Sequence, residues 1–246
     1  MANHDRKYKV SIITVSYNSG ITIEKTLKSV LKQTYKNIEY FIIDGLSCDN
    51  TVSIVNKYVP LFQGRIKVIS EPDSGIYEAM NKGIALSTGD VVGIINSNDF
   101  YEEDAVENIM KNYCDDIKYQ VIYGMQRTLE CGLERDILFY NHRFLNKQMI
   151  THSTCFVTRK IYEDFGHYRT DYKSASDYEF MLRIKNNPEV HFKPVYKVIS
   201  NFSTGGISST YIGDIESAKI RKTLKFISQK EYLILLGKAY IKKILS

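Results

Sequence analysis

The 246-residue sequence predicts an α/β protein, a mostly parallel sheet with helices on both faces, followed by a basic amphipathic helical tail. Three observations predict it. Four apolar runs of strand length alternate with three stretches of helical periodicity across residues 10–95. Each run stops at a cluster of turn-forming or acidic residues. Basic residues gather at the end of the chain: residues 219–246 carry eight Lys or Arg and one Glu, net +7, and because the whole chain is +5 the preceding 218 residues are at −2.

The first strand is "VSIITV" (10–15), a β-branched run that breaks at "SYNSG". Ile23, Leu27, Val30 and Leu31 then recur at helical spacing. "IEYFIID" (38–44) is a second buried strand ending on Asp44, and Ser47 or Asp49 is placed to cap the helix that contains Val52 and Val55. "IKVIS" (66–70) is a third strand, "GIYEAMNKGIALS" a third helix and "DVVGII" (90–95) a fourth strand. Such alternation implies right-handed crossovers and a parallel sheet buried on both sides. A helix around Asp104–Tyr113 and the strand "YQVIYG" follow, after which the pattern weakens from about 126 to 150. It returns as strand then helix in "THSTCFVTRKIYEDFG" (151–166) and as a helix with Phe180, Met181 and Ile184 on its buried face.

Composition narrows the function classes. With 43% apolar and 25% charged residues the chain is globular. No apolar run approaches the roughly 20 residues of a membrane span, and "MANHDRKYKV" lacks the apolar core of a signal peptide, so a cytoplasmic protein is expected. Cys48, Cys114, Cys131 and Cys155 are far apart without a paired ligand spacing, which favours free thiols. A near-neutral body with a basic tail excludes nucleic acid as the partner of the body and gives the tail an anionic one.

In parallel sheets, ligands sit beyond the carboxyl ends of the strands. There this sequence places Ser16-Tyr17-Asn18, Asp44, Glu71-Pro72-Asp73 and Asn98-Asp99. Each cluster alone is an ordinary turn; four in succession on one edge point to a site. Neither a G-x-G-x-x-G turn nor a P-loop is present. The densest cluster is Asn96-Ser97-Asn98-Asp99, which reads as a turn or as hard oxygen ligands for a divalent cation. Asp177 and Glu179, at the start of their helix, fit capping or dipole pairing as well as chemistry.

Taken in order, "SIITVSYNS", "IEYFIIDGLSCDNT", "SEPDSGIYEAMNKGIALSTGD", "IINSND", "HSTCFVTRKIYEDFG", "SASDYEFMLR" and "GGIS" resemble the family 2 glycosyltransferases of GT-A, Rossmann-like fold, in particular the bacterial branch that builds O-antigen, capsule or exopolysaccharide. The resemblance implies a nucleotide-binding half (1–100), an acceptor-binding half (101–218) and the tail (219–246) as a separate segment. It implies that Val15, Tyr17, Asn18, Asp44, Asp73, Lys82 and Asn98 serve the nucleotide-sugar, with Tyr17 stacked on uracil and Asn81 and Lys82 on a helix lining the ribose or sugar. Gly45 stands where a second Asp is common. The family's Asp-x-Asp-Asp metal motif falls on Asn96-Ser97-Asn98-Asp99, so Asp99, assisted by Asn98, is the implied ligand of Mn²⁺ or Mg²⁺. His152 is implied near donor and acceptor, and Gly205, Gly206 and Ser208 near an acceptor diphosphate, where glycine lets backbone amides approach an anion; a structural histidine and a plain turn are the competing readings.

These assignments lead to an inverting, metal-dependent transferase. Asp177 deprotonates an acceptor hydroxyl that attacks a UDP-hexose or UDP-N-acetylhexosamine. The expected acceptor is a sugar on polyprenyl diphosphate at the inner face of the cytoplasmic membrane, with the tail on anionic lipid. A nucleotidyltransferase and a catalytically silent nucleotide-sugar-binding subunit are the alternatives.

Overall fold

The computed structural model describes residues 8–203 and 211–245. The first half follows the sequence pattern closely. Strands β1 (Val10–Ser16), β2 (Ile38–Asp44), β3 (Ile66–Ser70) and β4 (Val91–Asn96) alternate with helices α1 (Ile23–Leu31), α2 (Thr51–Tyr58) and α3 (Ile76–Leu86). All their pairings are parallel. β1 is buried at every position, as a central strand covered on both faces must be. Its side chains alternate between two cores: Ile13 and Val15 pack with α3 residues Tyr77 and Met80, whereas Val10 and Ile12 pack with α1 residues Ile23 and Leu27. At Gly83 a Cβ would lie 2.5 Å from Ile13 Cγ2, so the absence of a side chain lets α3 settle close on the sheet. The first turn of α2 is not capped by Ser47 or Asp49; Asn50 holds that position, and Asp49 Oδ1 instead accepts from the Thr51 amide at 2.9 Å.

The second half is mixed. β5 (Phe100–Tyr101), α4 (Ala105–Met110), β6 (Tyr119–Glu130), β7 (Leu133–Leu138), β8 (Phe156–Thr158), α5 (Arg159–Phe165), α6 (Ser176–Lys185) and β9 (Val190–Ser203) precede the final helices α7 (Tyr211–Thr223) and α8 (Gln229–Leu245). The strands form one sheet in the order β3-β2-β1-β4-β8-β6-β9-β5, with β7 hairpinned onto β6. β8 lies antiparallel between β4 and β6, while β9 runs parallel to β6. Three strands are not predicted by the sequence: β5, only two residues long, β7 and β9. β7 is almost wholly exposed and carries no apolar period, and β9 has an irregular burial pattern with register shifts against β6. β9 matters here because it ends beside Asp99.

β4 and β8 meet at Gly93, where a Cβ would sit 2.4 Å from Phe156 Cε1 and under 3 Å from two further ring atoms. Phe156 is fully buried and has nowhere to move. Gly93→Ala is therefore expected to destabilise the fold by about 1–3 kcal/mol through overpacking, read as a lower denaturation midpoint with an unchanged m-value.

Candidate active site

The carboxyl ends of β1, β2, β3 and β4 open into a cleft of about 1050 Å³, and the second half supplies its far wall. Val15, Tyr17, Asp73, Asn98, Asp99, His152 and Asp177 all line it, so residues up to 162 positions apart converge there. Tyr17 is 64% exposed on the rim, a ring open for stacking, next to Leu46 in the left-handed backbone region (φ 60°). Gly45 is bare because Asp73 occupies the space beside it: a Cβ would lie 2.7 Å from Asp73 Oδ2. A carboxylate is thus present at this corner, delivered from the β3 loop.

Four other expected nucleotide residues do not line the cleft, and their polar groups are engaged within the protein. Asp44 is buried, and its carboxylate accepts from Ser16 Oγ (2.9 Å), Ser47 Oγ (2.5 Å), Ser47 N (2.9 Å) and Ser70 Oγ (2.7 Å). Its capacity is taken by the protein, so it ties the loops after β1, β2 and β3 together. Asn18, with φ 48°, laces the first two loops by accepting from the Cys48 amide at 2.9 Å. Asn81 is engaged with the backbone of Tyr168 in both directions, and Lys82 pairs with Glu71 at 3.0 Å and Glu78 at 3.4 Å. Gly205, Gly206 and Ser208 lie outside the described residues.

The segment Asn96-Ser97-Asn98-Asp99 is a tight turn, closed by the Asp99 amide donating to Asn96 O at 3.0 Å. Ser97 Oγ lies 2.7 Å from Ser19 Oγ, which fixes the turn to the β1 loop. Asp99 is 1% exposed. Among the described residues one hydrogen bond reaches its carboxylate, from Ser203 N at 3.2 Å on β9, and burial pushes its pKa up to about 7. Asn96 Oδ1 is buried without a partner among the described residues. An under-satisfied carboxylate and an orphaned amide oxygen at one turn fit a hard divalent cation, which would complete both. Asn98 is the second ligand expected from the sequence and lines the cleft, and Asn96 at the start of the same turn offers a further amide oxygen.

On the far wall, Asp177 occupies the second position of α6, whose N-cap is Ala175, so Asp177 is not the helix cap. Tyr77 Oη on α3 donates to Asp177 Oδ1 at 2.9 Å. Burial, then the Asp177 charge, raise the Tyr77 pKa, so the phenol stays protonated and holds the carboxylate in place. His152 sits in a short 3-10 helix (His152–Thr154) with Nε2 3.2 Å from Tyr168 Oη. Burial lowers its pKa, partly offset by Asp177, which keeps the imidazole neutral at pH 7. The α7 residues Gly213, Asp214 and Ser217 also line the cleft.

A parallel half-sheet opening at its carboxyl ends into a cleft, walled by a mixed second half, is the architecture of the GT-A fold. Residues 11–166 match the family described as glycosyl transferase family 2, and the chain belongs to it. An uncharacterized glycosyltransferase of Mycobacterium tuberculosis is 33% identical over 206 residues, 81% of this chain and 77% of that one. Among solved structures, Staphylococcus aureus TarS 1–349 in complex with UDP-GlcNAc is similar with a TM-score of 0.72 at 18% identity, over 94% of this chain and 71% of that one. A mannosyltransferase from Pyrobaculum calidifontis in complex with GDP-Man and Mn²⁺ is similar with a TM-score of 0.66 at 19% identity, over 95% and 69%.

Proposed function

We propose that the protein is an inverting, metal-dependent glycosyltransferase that moves a hexose or N-acetylhexosamine from a UDP-sugar to a saccharide acceptor. The observation that carries this reading is the convergence on one cleft of an open stacking ring (Tyr17), an under-satisfied buried carboxylate (Asp99) and a carboxylate held from behind (Asp177). Asp177 takes the proton of an acceptor hydroxyl as that oxygen attacks the anomeric carbon from the face opposite the diphosphate. The bond to the diphosphate breaks, UDP leaves, and an α-linked donor yields a β-linked product. Asp99, with the amide oxygens of Asn96 or Asn98, would hold Mn²⁺ or Mg²⁺, which would supply neutralisation of charge on the departing diphosphate. Neutral His152 offers a hydrogen bond to donor or acceptor without adding charge. Bound nucleotide-sugars and Mn²⁺ in proteins of the same fold support the donor and the metal.

The direct test is to identify what UDP-sugars release with and without Mn²⁺. UDP released only with the metal supports transfer. Diphosphate would mean nucleotidyl transfer, and binding without turnover would mean a silent subunit.

The proposed acceptor is a sugar on polyprenyl diphosphate in bacterial surface-polysaccharide synthesis, reached from the cytoplasmic face with α8 on the membrane. No helix among the described residues is long and apolar enough to cross a bilayer. α8 packs Tyr232, Leu235, Leu236 and Ala239 inward and exposes Leu233, Ile234, Tyr240, Ile241 and Ile244 on another face. Lys230 and Lys238 are exposed along the same helix, whereas Lys242 pairs with Asp214 at 2.8 Å and Lys243 lies over the Tyr211 ring, both on α7; exposed apolar and basic residues together suit an anionic lipid interface. The tail boundary at 219 falls within α7, where Ala218 and Ile220 are buried. Removing residues 228–246 is thus the cleaner deletion. Full-length protein is expected to sediment with phosphatidylglycerol vesicles at low salt, and the deletion to weaken this. Since screening acts over about 8 Å at physiological ionic strength, added salt should weaken it too. Full-length protein left in the supernatant at low salt would rule out the membrane role.

A further inference from the structure

The helix that carries Asp177 has no side-chain cap of its own. Its N-cap is Ala175, and the hydroxyl of Ser176, the first helical residue, is buried without a hydrogen-bond partner among the described residues. The amides ahead of it are instead gathered by a residue from another helix. Glu216 on α7 accepts from Lys173 N (2.8 Å) with Oε1 and from Ser174 N (2.8 Å) and Ala175 N (3.1 Å) with Oε2. Three consecutive backbone donors converging on one carboxylate form a charge-assisted clasp, and its negative charge also suits the amino end of α6. Lys173, Ser174, Ala175 and Asp177 line the cleft on one side of this clasp, and Gly213, Asp214 and Ser217 line it on the other.

We infer that Glu216 is a positioning residue: it fixes the 173–175 loop, and through it the first turn of α6, so that Asp177 meets the acceptor hydroxyl. The inference rests on the proposed role of Asp177 as base. Tyr77 anchors the Asp177 carboxylate from α3, and Glu216 anchors the backbone that carries it from α7. The donor side is built from the loops after β1, β3 and β4, and among the described residues Glu216 makes no hydrogen bond to them. Loss of the clasp should therefore separate acceptor use from donor binding.

Glu216→Gln keeps the size but replaces one acceptor oxygen with an NH₂ group that faces backbone N–H donors. Glu216→Asp keeps the charge on a shorter arm. The probes are the UDP-sugar and the acceptor glycoside that give the wild-type chain its fastest UDP release from a panel of each. Glu216→Gln is expected to lower kcat/KM for the acceptor on the order of 10- to 100-fold, the scale of a small misplacement of a catalytic group, with KM for the donor unchanged. Glu216→Asp should recover part of the loss. Unchanged acceptor kinetics in an active protein would overturn the inference, as would acceptor and donor parameters falling together with the melting temperature. A wild-type chain that releases no UDP with any probe would instead overturn the functional reading, taking the assignment of Glu216 with it.

Discussion

Asp177→Asn is expected to lower transfer turnover by about 10² to 10⁴-fold, the usual contribution of a positioned general base, while donor binding survives. The substitution keeps the shape of the side chain, and its amide oxygen still accepts from Tyr77 Oη, which stands 2.9 Å from Asp177 Oδ1. It removes only the basicity. Because Asp177 lies one residue inside α6 and makes no capping hydrogen bond, the loss should not come from helix fraying. Steady-state kinetics with the donor varied, beside a melting curve, separate the two. Unchanged turnover would remove Asp177 from the chemistry, and a collapse of the melting temperature would make it a structural residue.

Asp99→Asn should abolish metal-dependent activity, a loss of at least about 10³-fold, since several kcal/mol of charge stabilisation in the transition state is at stake. It also makes a prediction that needs no substrate. Burial raises the Asp99 pKa to about 7 in the metal-free fold, above its ordinary value of 3.8. Between those values the folded state holds a proton that the unfolded state has released, so this group makes the metal-free protein less stable as pH rises from about 4 through 7. Asparagine keeps the acceptor for the Ser203 amide without that cost. At pH 8, metal-free Asp99→Asn should melt above metal-free wild type, and Mn²⁺ should raise the melting temperature of the wild type alone. Equal stabilisation of both proteins by Mn²⁺ would move the metal elsewhere. Asn98→Asp, which adds a carboxylate at the same turn, should retain or tighten the use of metal.

These two residues also show how far the sequence could be read. β1, β2 and β4 were legible because burial on both faces leaves a nearly continuous apolar run, and the edge strand β3 because its short β-branched stretch is bounded by turn residues; the rule that ligands collect beyond strand carboxyl ends then gathered Tyr17, Asp73 and Asp99 on one cleft. Asp44 obeyed the same rule, yet three serine hydroxyls and an amide consume it, and no spacing in the sequence reveals that Ser16, Ser47 and Ser70 converge on it. β9 was illegible because half-buried, bulged strands have no clean period. The strand nonetheless supplies the Ser203 amide that touches Asp99. Likewise Glu216 sits more than 40 residues from the amides it binds, in a helix whose sequence reads as an ordinary amphipathic surface.

The central claim, displacement at the anomeric carbon by an acceptor activated by Asp177, is tested most directly by the stereochemistry of the product. With an α-linked UDP-sugar, Mn²⁺ and the best glycoside acceptor, the anomeric proton coupling in the NMR spectrum of the isolated product reports the new linkage, and UDP is measured in the same reaction. A β-linked product formed in equal amount with UDP is the predicted result. An α-linked product, or release of diphosphate in place of UDP, would contradict it.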